Sequence, residues 1–365
     1  MIERIQREGR LTFAEYMRMA LYEPGCGYYM TGPARIGFAG ADFYTSANVS
    51  SLFFANCVGR QLYRWWEKLR RPSPFVVVEQ GAGQGDLARG VQAWARQQDA
   101  DFQAALDYRL EDICAGQDVL RPNQGEIKSA LAEETVTGAP YVILSNELVD
   151  AFPVHIIETH NGRLYEIYVD AQAGRLCEVR DEPGTTEIAS YLDCYHIPWS
   201  EFGDGWRAEI NLDALRWIRR TAKLLRHGYL LTIDYGDKAR ALYTSYRRHG
   251  TLACYFRHQL NEQPLARPGE QDITAHVNFS ALIDEGRRQG LRLHKFTTQR
   301  LWLESLGIQE DLEQRRRSDF PESITERASD RGQVALLQWY DMRQRVSALT
   351  DPAGMGNFKV LVLRR

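Results

Sequence analysis

The sequence predicts an α/β protein with a doubly wound, Rossmann-like sheet. In the segment 75–87, a β-branched apolar run ends in Glu79, a glycine-rich turn follows, and a helical pattern of apolar residues begins at Leu87. Two further apolar runs, 141–144 and 228–233, also lead into acidic residues. Short buried strands that end in polar residues are typical of an open α/β sheet, which binds its ligands at that edge.

The glycines of the turn, Gly81, Gly83 and Gly85, would let the backbone approach a ligand without a Cβ clash. A dinucleotide fingerprint, G-x-G-x-x-G, would place its last glycine where this chain has Asp86. A carboxylate there would repel a pyrophosphate but suits a cationic cofactor such as S-adenosylmethionine. Glu79, the acid at the end of the predicted strand, also favours a cationic cofactor. A dinucleotide turn and a turn that binds nothing are the alternatives.

Composition excludes several classes of protein. The 365 residues suffice for about two domains, or for one α/β domain with insertions. A net charge of −3 predicts no nucleic-acid partner, and no apolar stretch is long enough to cross a bilayer. The six cysteines are scattered without a C-x-x-C pair, which favours reduced thiols in a cytoplasmic protein over disulfides or a metal site.

The N-terminal segment is predicted to form a helix and then a long loop. Apolar residues recur with helical spacing over 11–21, where Thr12 and Glu15 form a capping-box pattern. The glycine-rich stretch that follows is long, and long ordered loops are commonly functional. Thr45 could cap the next helix. We therefore predict a cap with an active-site loop over residues 1–45.

Residues 46–365 are predicted to form the cofactor-binding domain. Within it, residues 154–210 favour strands, with a hairpin turn at Asn161-Gly162, and are interpreted as an inserted substrate platform. Periodicity predicts the remaining elements: helices over 212–225, 279–288, 301–317 and 334–349, and strands over 108–111, 291–296 and 358–363.

Polar side chains follow the predicted strand 141–144, at the edge where α/β sheets keep their active sites. They are Asn146, Glu147 and Asp150. Because Glu147 and Asp150 are three residues apart, they would share one face of a helical turn. The alternative is structural: Asn146 would cap a helix, and Glu147 would complement the helix dipole.

Glu111 and His276 are two further candidates. Glu111 ends a predicted strand a little beyond the distance of about 20 residues expected for a ribose-binding acid, and a surface acid is the alternative. His276 could be a general base near neutral pH, or a histidine that is simply hydrogen-bonded in place. Asp272, four residues earlier, could orient His276 if the segment is helical.

Together these motifs resemble one family, that of the mitochondrial complex I assembly factor methyltransferase, also called MidA, with its bacterial relatives. The matching stretches span nearly the whole chain in the family's order: Phe13-Ala14-Glu15-Tyr16-Met17, Leu21-Tyr22, Gly27-Tyr28-Tyr29, Asp42-Phe43-Tyr44-Thr45, Glu79 to Leu87, Asn146-Glu147, Asp150-Ala151, Pro153-Val154, Asp234-Tyr235-Gly236 and Gln271 to Val277. Each stretch is a weak signal alone, whereas the ordered set is specific.

The resemblance implies a class I S-adenosylmethionine-dependent methyltransferase fold. It also implies protein arginine methylation, with the mitochondrial members acting on a complex I subunit. Glu79 and the three glycines would hold the methionine end of the cofactor, and Glu111 its ribose. Thr45 and Asn146, which lie in matching stretches, complete the predicted cofactor site. A homodimer is compatible with the resemblance.

For the methyl acceptor, we expect carboxylates, because a guanidinium keeps its charge at any ordinary pH. Glu147 and Asp150 would orient it, and His276 would accept its proton. A small-molecule acceptor and a non-catalytic assembly protein are the alternatives. The chain departs from the family pattern at four positions: Ala47 and Asn48 replace Pro-Glu, Ile113 replaces a small polar residue, and Asn278 replaces a frequent Asp. The departures at Asn48 and Ile113 motivate the non-catalytic alternative.

Overall fold

The computed structural model describes residues 1–31, 45–112, 128–129, 139–257, 259–320 and 330–365. These residues divide between two compact units. Unit 1 draws on Met1–Phe43, Glu147–Leu224 and Asp234–Leu293, and unit 2 on Tyr44–Asn146, Leu225–Ile233 and His294–Arg365. Each unit is therefore assembled from separate parts of the chain. The division predicted from the sequence, at residues 45 and 46 with an insertion over 154–210, stays a prediction.

The strands of the described residues are numbered in chain order. They are β1 Leu11–Thr12, β2 Phe75–Gln80, β3 Leu106–Glu111, β4 Lys128–Ser129, β5 Val142–Asn146, β6 His155–His160, β7 Arg163–Gln172, β8 Arg175–Asp181, β9 Arg207–Ile210, β10 Tyr229–Asp234, β11 Gly236–Asp237, β12 Ala253–Phe256, β13 Gln259–Asn261, β14 Asp272–Thr274, β15 Val277–Asn278, β16 Arg292–Thr298 and β17 Lys359–Arg364.

The α-helices of the same ranges are numbered likewise. They are α1 Ile2–Glu8, α2 Phe13–Tyr22, α3 Ser46–Val49, α4 Ser51–Lys68, α5 Asp86–Ala95, α6 Ala100–Ala105, α7 Thr186–Cys194, α8 Leu212–Leu224, α9 Ala239–Leu242, α10 Phe279–Arg288, α11 Gln299–Ser305, α12 Ile308–Asp319 and α13 Asp330–Thr350. The single helix predicted over 301–317 is wrong, because the chain turns at Gly307, which has φ +85° and separates α11 from α12.

Unit 2 contains a seven-stranded sheet in the order β4-β3-β2-β5-β10-β17-β16. The pairs β4–β3, β3–β2, β2–β5 and β5–β10 are parallel. From β2 the chain proceeds towards one edge of the sheet, and from β5 towards the other. This arrangement confirms the doubly wound α/β fold. It also makes the carboxyl ends of β2 and β5 the topological switch point, where such sheets bind ligands.

Helices α4 and α5 pack in the same apolar core as this sheet. The rings of Trp65 in α4 and Tyr229 in β10 stack with centroids 4.4 Å apart. Gly59 lets α4 approach α5, because a Cβ atom there would lie 2.5 Å from the ring of Trp94. Packing this dense holds β2 and the start of α5 in fixed positions, as a binding turn between them requires.

Unit 1 contains an antiparallel five-stranded sheet in the order β1-β7-β6-β9, with β8 also paired to β7. The predicted hairpin turn is confirmed: Asn161 and Gly162 have φ of +49° and +69°, as a type I′ turn requires. The capping box of Thr12 and Glu15 at the start of α2 is also confirmed. Apolar residues of α2 share a core with β6 and β7.

No helix of the described residues is long and apolar enough to cross a membrane. No group of three or more His, Cys, Asp or Glu side chains in the same ranges is arranged to hold a metal ion.

Candidate active site

The glycine-rich turn joins β2 to α5 in unit 2. Gly81, Gly83 and Gly85 have φ of +70°, +52° and +73°, in the left-handed region that side chains disfavour. A Cβ atom on Gly85 would lie 2.9 Å from Cδ1 of Leu110, whereas one on Gly83 would meet no described atom within 4 Å. Space for a ligand is therefore open beside Gly83, and no other residue type would give this turn at so little cost.

Hydrogen bonds tie the turn to the end of β3. The Gly83 N–H donates to Oδ2 of Asp112 over 2.8 Å, and the Gly81 N–H donates to the carbonyl of Glu111, also over 2.8 Å. The side-chain amide of Gln80 donates to Oε2 of Glu111 over 2.7 Å. The predicted ribose-binding acid, Glu111, therefore lies beside the turn, where that role would require it. The departure at residue 113 lies outside the described residues.

Glu79, near the end of β2, is a buried carboxyl group with 4% of its surface exposed. Its Oε2 accepts a hydrogen bond from the Tyr108 hydroxyl over 2.8 Å. Burial raises the pKa of Glu79 to about 8, and the Tyr108 hydrogen bond only partly opposes that rise. A cationic ligand group beside Glu79 would favour its ionised form. The residues at this turn thus fit the amine and sulfonium of S-adenosylmethionine.

Asp86, the first residue of α5, makes hydrogen bonds within the protein through both carboxylate oxygens. Its Oδ1 pairs with the guanidinium of Arg89, and its Oδ2 accepts a hydrogen bond from Nδ2 of Asn48 over 3.0 Å. Both carboxylate oxygens are therefore engaged inside the protein, and Arg89 balances the charge. Recognition of a cationic cofactor group by Asp86 or by Glu79 stays a prediction.

The two remaining predicted cofactor residues also lie in unit 2. Thr45 precedes α3, and its N–H and hydroxyl donate to Oδ1 of Asn48 over 3.2 and 2.8 Å. Asn146 is the last residue of β5, the neighbour of β2 at the switch point. The family stretch at residues 42–44 lies outside the described residues. It stays a prediction that the cofactor contacts these residues: Thr45, Glu79, the three glycines, Glu111 and Asn146.

Beyond β5 the chain enters unit 1 in a tight turn, not a helix. Glu147 has φ +50°. Oδ2 of Asp234 accepts hydrogen bonds from three consecutive N–H groups, those of Leu148, Val149 and Asp150, over 3.2, 2.9 and 3.4 Å. The prediction that Glu147 and Asp150 share a helical face is therefore wrong, as is the alternative that Asn146 caps a helix. The acid at the end of β10 holds this turn, a tertiary contact that periodicity does not reveal.

Asp150 is the most distinctive side chain of this turn. It is 5% exposed, and its Oδ2 accepts a hydrogen bond from the Tyr235 hydroxyl. Its Oδ1 is buried and has no hydrogen-bond partner within the described ranges. Burial raises the pKa of Asp150 to about 6, and hydrogen bonding to the carboxyl, first of all by Tyr235 and then by nearby backbone, partly opposes that rise. A buried acceptor without a donor is costly, so this oxygen is well suited to a ligand that brings one.

Asp272 adds a second buried carboxylate. Its Oδ1 accepts hydrogen bonds from the Tyr29 hydroxyl over 2.7 Å and from the Ile273 N–H over 2.9 Å. The ring of Tyr29 stacks on Tyr22, with centroids 5.5 Å apart. A backbone hydrogen bond joins the segment that carries Asp272 to the turn that carries Asp150: the Ala275 N–H donates to the Asp150 carbonyl over 2.9 Å. A tyrosine hydroxyl thus steadies each of the two carboxylates.

We name these residues the acid–tyrosine cluster and define it as Tyr29, Glu147, Asp150, Asp234, Tyr235, Tyr255 and Asp272. Burial raises the pKa values of Tyr29, Tyr235 and Tyr255, and the charges of Asp150 and Asp272 raise all three further. Burial, followed by the charge of Asp150, also raises the pKa of Asp234 well above its usual range. The cluster therefore gathers buried acidic groups among aromatic rings, and a cationic ligand beside them would favour their ionised forms.

His276 lies beside the cluster with its side chain exposed. Its ring meets that of Tyr235 edge-on, with centroids 5.6 Å apart, and its N–H donates to the Thr251 hydroxyl over 3.0 Å. The prediction that Asp272 orients His276 from one helical turn away is wrong, because Asp272 lies in a strand and bonds Tyr29. The role of His276 as a proton acceptor stays a prediction.

Residues 57–297 match the model of a family described as S-adenosyl-L-methionine-dependent methyltransferase. A Drosophila melanogaster relative, the protein arginine methyltransferase NDUFAF7 homolog, is 27% identical, over 99% of this chain and 83% of its own length. The Danio rerio protein arginine methyltransferase NDUFAF7 is 25% identical, over 95% of this chain and 82% of its own.

Solved structures support the same assignment. A Burkholderia thailandensis protein in complex with S-adenosyl-homocysteine aligns with a TM-score of 0.80 and 27% identity, covering 100% of this chain and 90% of its own. A native structure of a protein from the same organism aligns with a TM-score of 0.78 and 26% identity, covering 100% and 89%. The chain belongs to this methyltransferase family, and its cofactor is S-adenosyl-L-methionine.

Proposed function

We propose that this enzyme methylates a guanidinium nitrogen of arginine residues in a protein substrate. The observation that carries the proposal is the buried Oδ1 of Asp150, which has no hydrogen-bond donor among the described residues. It belongs to a cluster in which tyrosine hydroxyls bind two carboxylates, Tyr235 on Asp150 and Tyr29 on Asp272. A guanidinium offers five N–H donors, a permanent charge and a flat face that stacks on aromatic rings. Relatives named as protein arginine methyltransferases support this choice of acceptor.

The cofactor, when bound, supplies the methyl group as an electrophilic sulfonium. The glycine turn would hold it against Glu79. Asn146, the last residue of β5, is followed directly in the chain by Glu147, the first acid of the acid–tyrosine cluster. Positioning the nucleophile in line with the methyl group is the main requirement of the reaction, and well-oriented reactants can gain about 7–11 kcal/mol.

Each carboxylate has a role that follows from its contacts. Asp150 would accept a guanidinium N–H through Oδ1 while Tyr235 holds Oδ2. Glu147, whose charge acts on Tyr255 together with those of Asp150 and Asp272, would add a second acceptor for the fork. Asp234 would not touch the substrate, because its oxygens already bind backbone N–H groups. It would position Asp150.

Methylation of a charged guanidinium leaves a charged product and releases one proton. A carboxyl group whose pKa is about 6 ionises near neutral pH, so Asp150 could take that proton and return it to solvent. His276, with its exposed ring, is the second candidate for the same step. Variants of the two residues separate these roles, because only Asp150 would also bind the substrate.

Product analysis tests the proposal directly. The enzyme is incubated with S-adenosylmethionine labelled in its methyl group and with a bacterial lysate, and labelled proteins are hydrolysed to amino acids. We expect label in methylarginine, incorporated about a hundredfold more slowly when Asp150→Asn replaces the native enzyme. Label in another methylated residue, or only in small molecules, would contradict the arginine assignment and leave the methyltransferase assignment intact.

We further propose that the protein works in the cytoplasm and that a subunit of respiratory complex I is the first substrate to test. The location is supported by the described cysteines, which are free thiols: Cys26, Cys57, Cys177, Cys194 and Cys254. The substrate is supported by the motifs shared with complex I assembly factors. Complex I is purified from cells with and without the gene for this enzyme and compared by mass spectrometry. We expect a methylarginine that is present only when the gene is present.

A further inference from the structure

Asn48 connects the cap of α3 to the first residue of α5. Its Oδ1 accepts hydrogen bonds from the N–H and the hydroxyl of Thr45, over 3.2 and 2.8 Å. Its Nδ2 donates to Oδ2 of Asp86 over 3.0 Å. One side chain therefore serves as the acceptor of a capping box and as the donor to a carboxylate directly after the glycine turn.

The contacts continue from Asp86 back to the turn itself. The other oxygen of Asp86 pairs with Nη2 of Arg89, and Nη1 of Arg89 donates to the carbonyl of Gln84 over 2.5 Å. Gln84 stands between the last two glycines of the turn. A chain of hydrogen bonds therefore restrains the turn from the side of α3, and it runs from Thr45 through Asn48, Asp86 and Arg89 to Gln84. From the side of β3, Asp112 accepts the hydrogen bond of the Gly83 N–H.

We propose that Asn48 is a positioning residue for the cofactor. It would hold the glycine turn in its binding geometry through Asp86, without touching the cofactor itself. Glycine residues sample many backbone conformations, so a turn with three of them loses more entropy on ordering than an ordinary loop. A turn already ordered before binding avoids part of that cost. This role concerns the cofactor and is independent of the identity of the methyl acceptor.

The chemistry of the position explains why an amide stands there. The side chain must accept from Thr45 and donate to Asp86, and a carboxylate could only accept. An acidic residue at position 48 would place two negative groups within hydrogen-bond distance of each other, although Arg89 would offset part of the repulsion. The departure at Asn48, which motivates a non-catalytic alternative, is thus matched by a carboxylate at Asp86.

An exchange of the two residues tests the proposal. In Asn48→Asp, a carboxylate faces Asp86, and we expect the affinity for S-adenosylhomocysteine, measured by calorimetry, to fall about tenfold. In the double variant Asn48→Asp with Asp86→Asn, the amide and the carboxylate change places. The hydrogen bond between positions 48 and 86 can re-form with its polarity reversed, while Thr45 and Arg89 still donate to an oxygen at each position. We expect the affinity to return to within about twofold of the native value.

Kinetics distinguish positioning from a general loss of stability. The KM for S-adenosylmethionine should rise in Asn48→Asp, while kcat at saturating cofactor stays within about twofold. Asn278→Asp is the matched control, because Asn278 caps α10 and donates to Tyr191 in unit 1, so it also loses a donor. It should leave cofactor affinity unchanged. Native affinity in a folded Asn48→Asp, or a loss that Asp86→Asn does not rescue, would overturn the proposal.

Discussion

The glycine turn of unit 2 and the acid–tyrosine cluster of unit 1 are built in opposite ways. The turn is one continuous segment of backbone, and its geometry depends on the positive φ of Gly81, Gly83 and Gly85. The cluster is made of side chains from several separate segments, joined by hydrogen bonds such as those of Tyr29 to Asp272 and Tyr235 to Asp150. A backbone site should fail abruptly when one residue changes, whereas the cluster should lose its contributions one at a time.

The largest effect should follow from changing the backbone site. In Gly85→Val, a β-branched residue would have to adopt φ +73° and would clash with Leu110. Strain of about 1–3 kcal/mol, added to the clash, should weaken S-adenosylhomocysteine binding at least about a hundredfold by calorimetry. Gly174→Val is the control, because Gly174 has φ +75° in a hairpin with open space around it. Equal loss of affinity in both variants would contradict the account.

In the cluster, Asp150→Asn should have the next largest effect. The substitution keeps the shape of the side chain but removes its charge, so a guanidinium loses its anionic partner. We expect kcat for methyl transfer to fall about a hundredfold. Cofactor affinity should stay unchanged, because Asp150 is not among the predicted cofactor residues. A variant that methylates at the native rate would remove Asp150 from the site.

A smaller effect is expected from pH on cofactor affinity. The pKa of Glu79 is about 8 in the free enzyme, and a cationic cofactor group favours its ionised form. Binding below pH 8 therefore releases a proton, and affinity should rise with pH by up to about tenfold per unit until pH 8 is reached. Calorimetry in buffers of different ionisation enthalpy would count the proton. Glu79→Gln should abolish the release, and an unchanged count would contradict the assignment.

His276→Ala should have the smallest effect. The ring is exposed and contacts Tyr235 edge-on, so solvent can replace it as the final proton acceptor. We expect kcat at pH 8 to change less than about threefold, far less than in Asp150→Asn. A loss as large as that of Asp150→Asn would make His276 the base and reduce Asp150 to a substrate-binding residue.

The same contrast explains what the sequence could predict. The turn, its flanking strand and helix, and Glu111 follow from local order, because adjacent residues form one supersecondary unit. Glu147 and Asp150 were located by their position at a strand end, but their conformation was predicted wrongly. The reason is tertiary: Asp234, some eighty residues further along, binds three N–H groups of that turn. Periodicity within a segment carries no information about such a partner.

Tyr29 and Tyr255 were missed as members of the cluster. Tyr29 stands in a family stretch, and a tyrosine after a glycine-rich turn offers no chemical signal until its hydroxyl is seen to bind Asp272. His276 illustrates the opposite case, and its role as a proton acceptor stays a prediction. Histidine chemistry makes it conspicuous in a sequence, whereas the structure leaves its side chain exposed. Residue type alone therefore does not rank candidates for this site.

A crystal structure of the enzyme with S-adenosylhomocysteine and an arginine-containing substrate peptide tests the central claim most directly. The account predicts a guanidinium nitrogen within hydrogen-bond distance of Oδ1 of Asp150, with the Tyr235 hydroxyl still on Oδ2. A guanidinium bound away from the acid–tyrosine cluster, or an Asp150 whose Oδ1 is satisfied by another protein group, would contradict it.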